Sequence, residues 1–140
     1  MGVFSEHLMA CAALVQLGPA RQSFGALYRR DADELYERTR LLPRRRELQL
    51  LSGAPEKPGR LLLRDRGLLL DLELEEEAGI EALCPHGRGQ VWTRKQAGID
   101  ARGTLTVGND RPQPVAARAV IDDTAGYHAR RTEWWWSAGV

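Results

Sequence analysis

Side chains able to do chemistry crowd into residues 122–136 of this 140-residue chain, the run DDTAGYHARRTEWWW. An extended backbone alternates its side chains between two faces. A strand over 128–136 therefore places His128, Arg130, Thr132, Trp134 and Trp136 together and turns Arg131, Glu133 and Trp135 the other way. Indole walls with Arg and His at one end have the composition of a small-molecule pocket. The same residues also read as core, with guanidinium groups stacked over the indoles. For acid–base chemistry the candidates are Asp122 and His128, with Arg130 or Arg131 stabilising developing negative charge. Asp122 and Asp123 are adjacent, so their carboxylates diverge and cannot form a catalytic pair. At most one of them faces His128, to orient it or to pair with Arg130. The plainer reading has both ending a strand in a turn with Thr124 and Gly126.

Other familiar sites are excluded by spacing. Cys11 and Cys84 lie far apart and outside any Cys-x-x-Cys pair, so each is expected to be a buried free thiol. His7, His86 and His128 have no ligand spacing, and Cys84-Pro85-His86-Gly87 offers two ligands in a turn, so no metal or cofactor is expected. The Gly53 to Gly59 stretch lacks the Gly-Lys-Ser/Thr ending of a phosphate loop, and Gly87-Arg88-Gly89 lacks the third glycine of a dinucleotide fingerprint. Arg44-Arg45-Arg46 stands between Pro43 and Glu47 in a chain with 20 basic and 19 acidic residues, which favours a solvated loop or protected sheet edge over a nucleic-acid contact. The apolar run over 8–17 is too short to cross a membrane and no basic region precedes it, so a cytoplasmic protein without a transmembrane segment is expected.

The elements that must position these residues read as strands. At 43% hydrophobic the chain has material for a core. Over 68–75, Leu68, Leu70, Leu72 and Leu74 fall on one face and Asp71, Glu73 and Glu75 on the other. With Leu61 and Leu63 before it and a turn at Asp65-Arg66-Gly67, residues 60–76 predict a hairpin. A second hairpin pairs 21–30, where Phe24, Ala26 and Tyr28 share a face, with 35–42 across the tip Asp31-Ala32-Asp33-Glu34; a short helix capped by Asp31 is the lesser reading. Residues 5–17 are balanced between strand and a helix capped by Ser5 and stopped at Gly18. Further strands are expected at 91–96, 103–107, 115–122 and 128–136, with a turn at Gly108-Asn109-Asp110 and a connecting loop over 52–59. The expectation is an all-β fold, an antiparallel sandwich or open barrel of about eight to ten strands. Trp134, Trp135 and Trp136 on an uncovered last strand predict that residues 1–140 are a single partial β domain, truncated and incomplete at the C-terminal edge.

Several strings carry a resemblance. Val91-Trp92-Thr93-Arg94-Lys95-Gln96, Ala101-Arg102-Gly103, the run from Ala116 to Thr132, then Trp134, Trp136 and Ser137-Ala138-Gly139-Val140, together with Leu35-Tyr36-Glu37-Arg38-Thr39-Arg40, resemble the bacterial domain of unknown function 2804 family. That family is more distantly similar to lipocalin-like carotenoid hydratases and tocopherol cyclases. The resemblance implies an open lipocalin-like barrel whose chain continues past the position of Val140. It puts Asp122, Gly126, Arg131, Trp134 and Trp136 at signature positions, and departs where Trp135 stands in place of a common Arg. No activity is established for the family and no catalytic residue carries over. The function expected is a β-domain that binds an apolar or amphipathic lipid- or terpenoid-like molecule in a lipocalin-like cavity, touching Trp92, Arg94, Arg130, Arg131, Trp134 and Trp136. The alternatives are a hydratase- or cyclase-like acid–base enzyme and a structural β-domain without ligand.

Overall fold

The computed structural model describes residues 1–42, 44, 46–54 and 57–127. Its centre is the leucine-rich hairpin of β6 (Gly59–Asp65) and β7 (Leu68–Leu74). Leu68, Leu70, Leu72 and Leu74 are buried while Asp71 and Glu73 turn outward, the alternation expected of a sheet with one wet face. Asp65 pairs with Leu68 across a two-residue turn, and Gly67 takes the positive φ (+85°) that such a turn demands. The stretch 52–58 connects β5 (Leu48–Leu51) to β6, so it joins two segments of one sheet.

Both segments that left room for helix are strands. β1 (Gly2–Phe4) turns into β2 (Leu8–Leu17) through Ser5, whose Oγ accepts a hydrogen bond from the Leu8 amide (3.1 Å), so this serine closes a turn where a helix cap was one expectation. β2 then pairs with β3 (Ala20–Arg29), and β3 with β4 (Glu34–Arg40). On β2, Leu8, Ala10 and Ala12 point inward and Met9 and Cys11 outward. Cys11 is therefore exposed, contrary to the buried thiol expected; β2 buries only every second residue, and Cys11 falls on the wet phase.

The expected strands 91–96 and 103–107 are one strand, β9 (Gly89–Val107). Ala119 pairs with Ile99 but Ile121 with Gln96, so β9 carries one residue more than β10 (Gln113–Gly126) at that point, a bulge that bends it without ending it. The Gly108-Asn109-Asp110 turn links the two as expected, with the Asp110 amide donating to the Val107 carbonyl (3.0 Å). Cys84, Pro85 and His86 belong to β8 (Ile80–His86), which pairs with the first part of β9; only Gly87 of that tetrapeptide lies in the turn. Pro85 hides this strand in the sequence, yet an edge strand tolerates proline because one row of its backbone groups has no partner strand. On this outermost strand Cys84 is exposed too. β10 likewise runs on through Asp122 and Asp123 to Gly126, where a turn was the plainer reading.

All pairings are antiparallel, in the order β4-β3-β2-β1-β10-β9-β7-β6-β5, with β8 as a side branch on β9. This single all-β sheet curls into an open half-barrel. Its two ends approach each other: a Cβ at Gly25 of β3 would lie 2.6 Å from Leu63 of β6. Arg38 and Arg40 of β4 reach across to Asp65 and Glu47, Arg40 gripping the Glu47 carboxylate at 3.0 and 3.1 Å. Inside the curl lie Val3, Leu27, Leu48, Ile99, Ala101, Leu105, Ala119 and Ile121 with the β6 and β7 leucines. Arg44 is solvent-exposed and 3.7 Å from Glu47. No helix of the described residues is long and apolar enough to cross a membrane.

Two outcomes are expected in urea unfolding. Leu70→Ala should cost about 2–5 kcal/mol through lost burial and the cavity it leaves, whereas Leu35→Ala, at a position 60% exposed, should stay within about 0.5 kcal/mol. On the outer face Arg60 grips Asp71 at 2.8 and 2.6 Å, and these hydrogen bonds hold the Asp71 carboxyl below the usual carboxylate range. A carboxyl depressed in the folded state contributes stability above its unfolded value, about pH 4, and loses it as the pH falls through the lower folded value. Arg60→Gln should accordingly reduce the stability lost on acidification below about pH 4, read from unfolding midpoints against pH.

Candidate functional site

Beyond the bulge, β8, the first part of β9 and the last part of β10 form a three-stranded arm that projects from the leucine interior. Its inner face follows from register. Gln96 stands beside buried Ile121, Arg94 between Glu81 and Asp123, and Trp92 between Leu83 and Ala125. The face thus passes from apolar core through a charged row to an aromatic one.

The charged row is held by Glu76, in the connection between β7 and β8, whose side chain is only 6% exposed. One carboxylate oxygen accepts from the Gly53 amide (2.8 Å); the other accepts from Gln96 Nε2 (3.3 Å) and Arg94 Nη2 (3.3 Å). Gln96, itself 5% exposed, accepts from the Glu77 amide through Oε1 (2.8 Å). Arg94 also donates through Nε and Nη2 to Asp123 (3.2 and 2.8 Å), and that bonding pushes the guanidinium pKa further up. A buried carboxylate is tolerable only with its lone pairs satisfied, and three donors achieve that here. The result is a polar belt across the end of the core.

Among the described residues, the face above the belt is open. Trp92 donates its indole N–H to Glu81 (2.9 Å) and lies beside Leu83, 61% exposed, in a depression of about 680 Å³. Pro85, Gln90 and Tyr127 line it further out, with Arg88 at the tip of the β8–β9 turn. Gly126 is what lets β10 close this wall: a Cβ there would come within 2.3 Å of the Gln90 carbonyl, which accepts from the Tyr127 amide (3.2 Å).

Of the residues expected to form a site, the structure brings Trp92 and Arg94 onto this one face. They do different work, since Arg94 is bound to Asp123 and Glu76 while Trp92 lines the depression. Asp122 falls on the outer face, 2.9 Å from Lys95 Nζ, and it is Asp123 that points inward. His128, Arg130, Arg131, Trp134 and Trp136 lie outside the described residues. Glu76, Gln96, Glu81 and Leu83 were missed by sequence reasoning. Glu75-Glu76-Glu77 reads as a solvated acidic run, and nothing in residue type says that its middle member is buried.

Arg94→Met keeps the length of the side chain but leaves the Glu76 carboxylate without its cation, and should cost about 2–3 kcal/mol in urea unfolding. Lys95→Met, one residue away on the outer face, should cost less than about 1 kcal/mol. Comparison with family models, curated proteins and solved structures gives no match for this chain.

Proposed function

We propose that this chain is a binding module that holds an apolar or amphipathic small molecule, lipid- or terpenoid-like, on the inner face of its arm. The observation that carries the reading is Trp92: an indole anchored at its N–H, flanked by exposed Leu83 and facing an open depression. A flat apolar wall with one end tied down is a preorganised surface that loses little side-chain entropy on binding. The interior of the curl is filled by its own leucines, so the ligand lies above the polar belt and Arg94 serves as part of the floor.

Holding is favoured over turnover by the state of the acids on that face. Among the described residues, Glu81 is engaged by the Trp92 indole, Asp123 by Arg94, and Glu76 by three donors. Asp122 is on the opposite side of the sheet from any molecule resting on Trp92. The same reading takes the chain as kin to the domain of unknown function 2804 family and, more distantly, to lipocalin-like hydratases and cyclases of a bacterial cytoplasm. Its support is the motif run along β9 and β10, with Gly126 at their tight crossing, and the curled antiparallel sheet.

Titration with the neutral fluorophore N-phenyl-1-naphthylamine tests the reading. The folded protein should bind it, and Trp92→Ala or Leu83→Ser should each weaken binding by about tenfold, the equivalent of about 1.4 kcal/mol. Leu35→Ser, on the outer face of β4, should leave it unchanged. No binding to the folded protein, or equal affinity in all three variants, refutes the site.

A further inference from the structure

We infer that the ligand of this depression is an anionic amphiphile, a single apolar chain or ring system ending in a carboxylate or sulfate, with its charged end on Arg88; this rests on the binding reading above. The argument is the order of charge along the arm. Glu81, Leu83 and Pro85 share the inner face of β8, opposite Arg94, Trp92 and Gln90. Glu81 and Pro85 are separated by about 13 Å at the strand rise of about 3.3 Å per residue, and Arg88 lies beyond Pro85 at the turn. Glu81 therefore stands just beyond the inner end of the depression, Leu83, Trp92 and Pro85 form its apolar middle, and Arg88 lines its outer end.

The two ends differ in availability. Arg94, at the inner end, is neutralised by Asp123 and Glu76. Arg88 has no carboxylate partner among the described residues, so its five donors are open to a ligand at the mouth. Glu81 repels an anion from the inner end and Arg88 attracts it to the outer one, so both charges set the same direction. A guanidinium fork also matches the geometry of a carboxylate or sulfate, which accepts two parallel N–H bonds. The apolar middle is long enough for a medium-length alkyl chain lying across the indole.

Decanoate and 1-decanol, below their aggregation limits and at low salt, separate the charge from the chain. Calorimetric titration of the whole chain should show decanoate binding about tenfold more tightly than the alcohol, a difference that shrinks as NaCl screens it. Arg88→Gln should bring decanoate down to the affinity of the alcohol and leave the alcohol unchanged; Arg88→Lys should fall between. Arg88 is an exposed turn residue, so neither change threatens the fold. Equal affinities for the two probes in the unaltered protein, or decanoate binding indifferent to Arg88→Gln, overturn the anionic assignment while Trp92-dependent decanol binding keeps the depression. If neither probe binds, the binding reading itself fails. Arg88-dependent binding to phosphatidylglycerol vesicles without binding of free decanoate would overturn the inference in favour of a membrane headgroup.

Discussion

β9 is hydrogen-bonded along both of its edges, and the rest of the molecule is hung on that fact. One edge carries β10 from Gln113 to Gly126; the other carries β7 against Ala101–Val107 and β8 against Gly89–Lys95. Between the two partners on that second edge sits the extra residue of the bulge. Without it, β9 would run on straight and the row of Trp92, Arg94 and Gln96 would not hold its phase against Ile121, Asp123 and Ala125. Without the extra residue Lys95 would take the inward place of Arg94 opposite Asp123, and Arg94 would turn to the outer face, away from Glu76. Gly103 shows how tightly this strand is held at the other end, since a Cβ there would fall 2.0 Å from the Asp71 carbonyl.

The polar belt is the second organising device. Glu76 ties its own β7–β8 connection to two other parts of the chain: the β5–β6 connection through Gly53, and β9 through Gln96 and Arg94. It separates a leucine interior, where shape alone decides packing, from a face that lies open among the described residues. A buried carboxylate is an expensive way to make that boundary, because its cost in lost hydration must be met by donors held in place. Its value lies in definiteness: an apolar substitute would let the core and the aromatic face merge.

What could be read from the sequence follows the strength of local pattern. The strict alternation Leu68 to Leu74 and the Gly67 turn made β6 and β7 legible, and the Asp31–Glu34 tip made β3 and β4 so. β8 was not legible because Ile80-Glu81-Ala82-Leu83-Cys84-Pro85-His86 has little alternation and a proline, and its pairing is decided by β9, not by its own residues. The continuity of β9 was not legible, since 91–96 and 103–107 show strand pattern separately and the bend at Ala97 and Gly98 lies between them. Trp92 and Arg94 were legible as site residues by type, but the division of labour between them was not, since Arg94 owes its role to a glutamate eighteen residues earlier in the chain. Which of Arg94 and Lys95 faces Asp123 depends on a bulge that no residue type announces.

The arm contributes nothing to the cluster of buried side chains inside the curl: no residue from Ile80 to Lys95, and none from Asp122 to Gly126, belongs to it. Under the binding reading proposed above, apolar burial and recognition fall on different stretches of one polypeptide, joined at the belt by Arg94. On that reading, exchanging Leu83, Pro85 or Arg88 would change what the arm holds without touching the leucines of the interior. The bulge in β9 marks where the one set of residues gives way to the other.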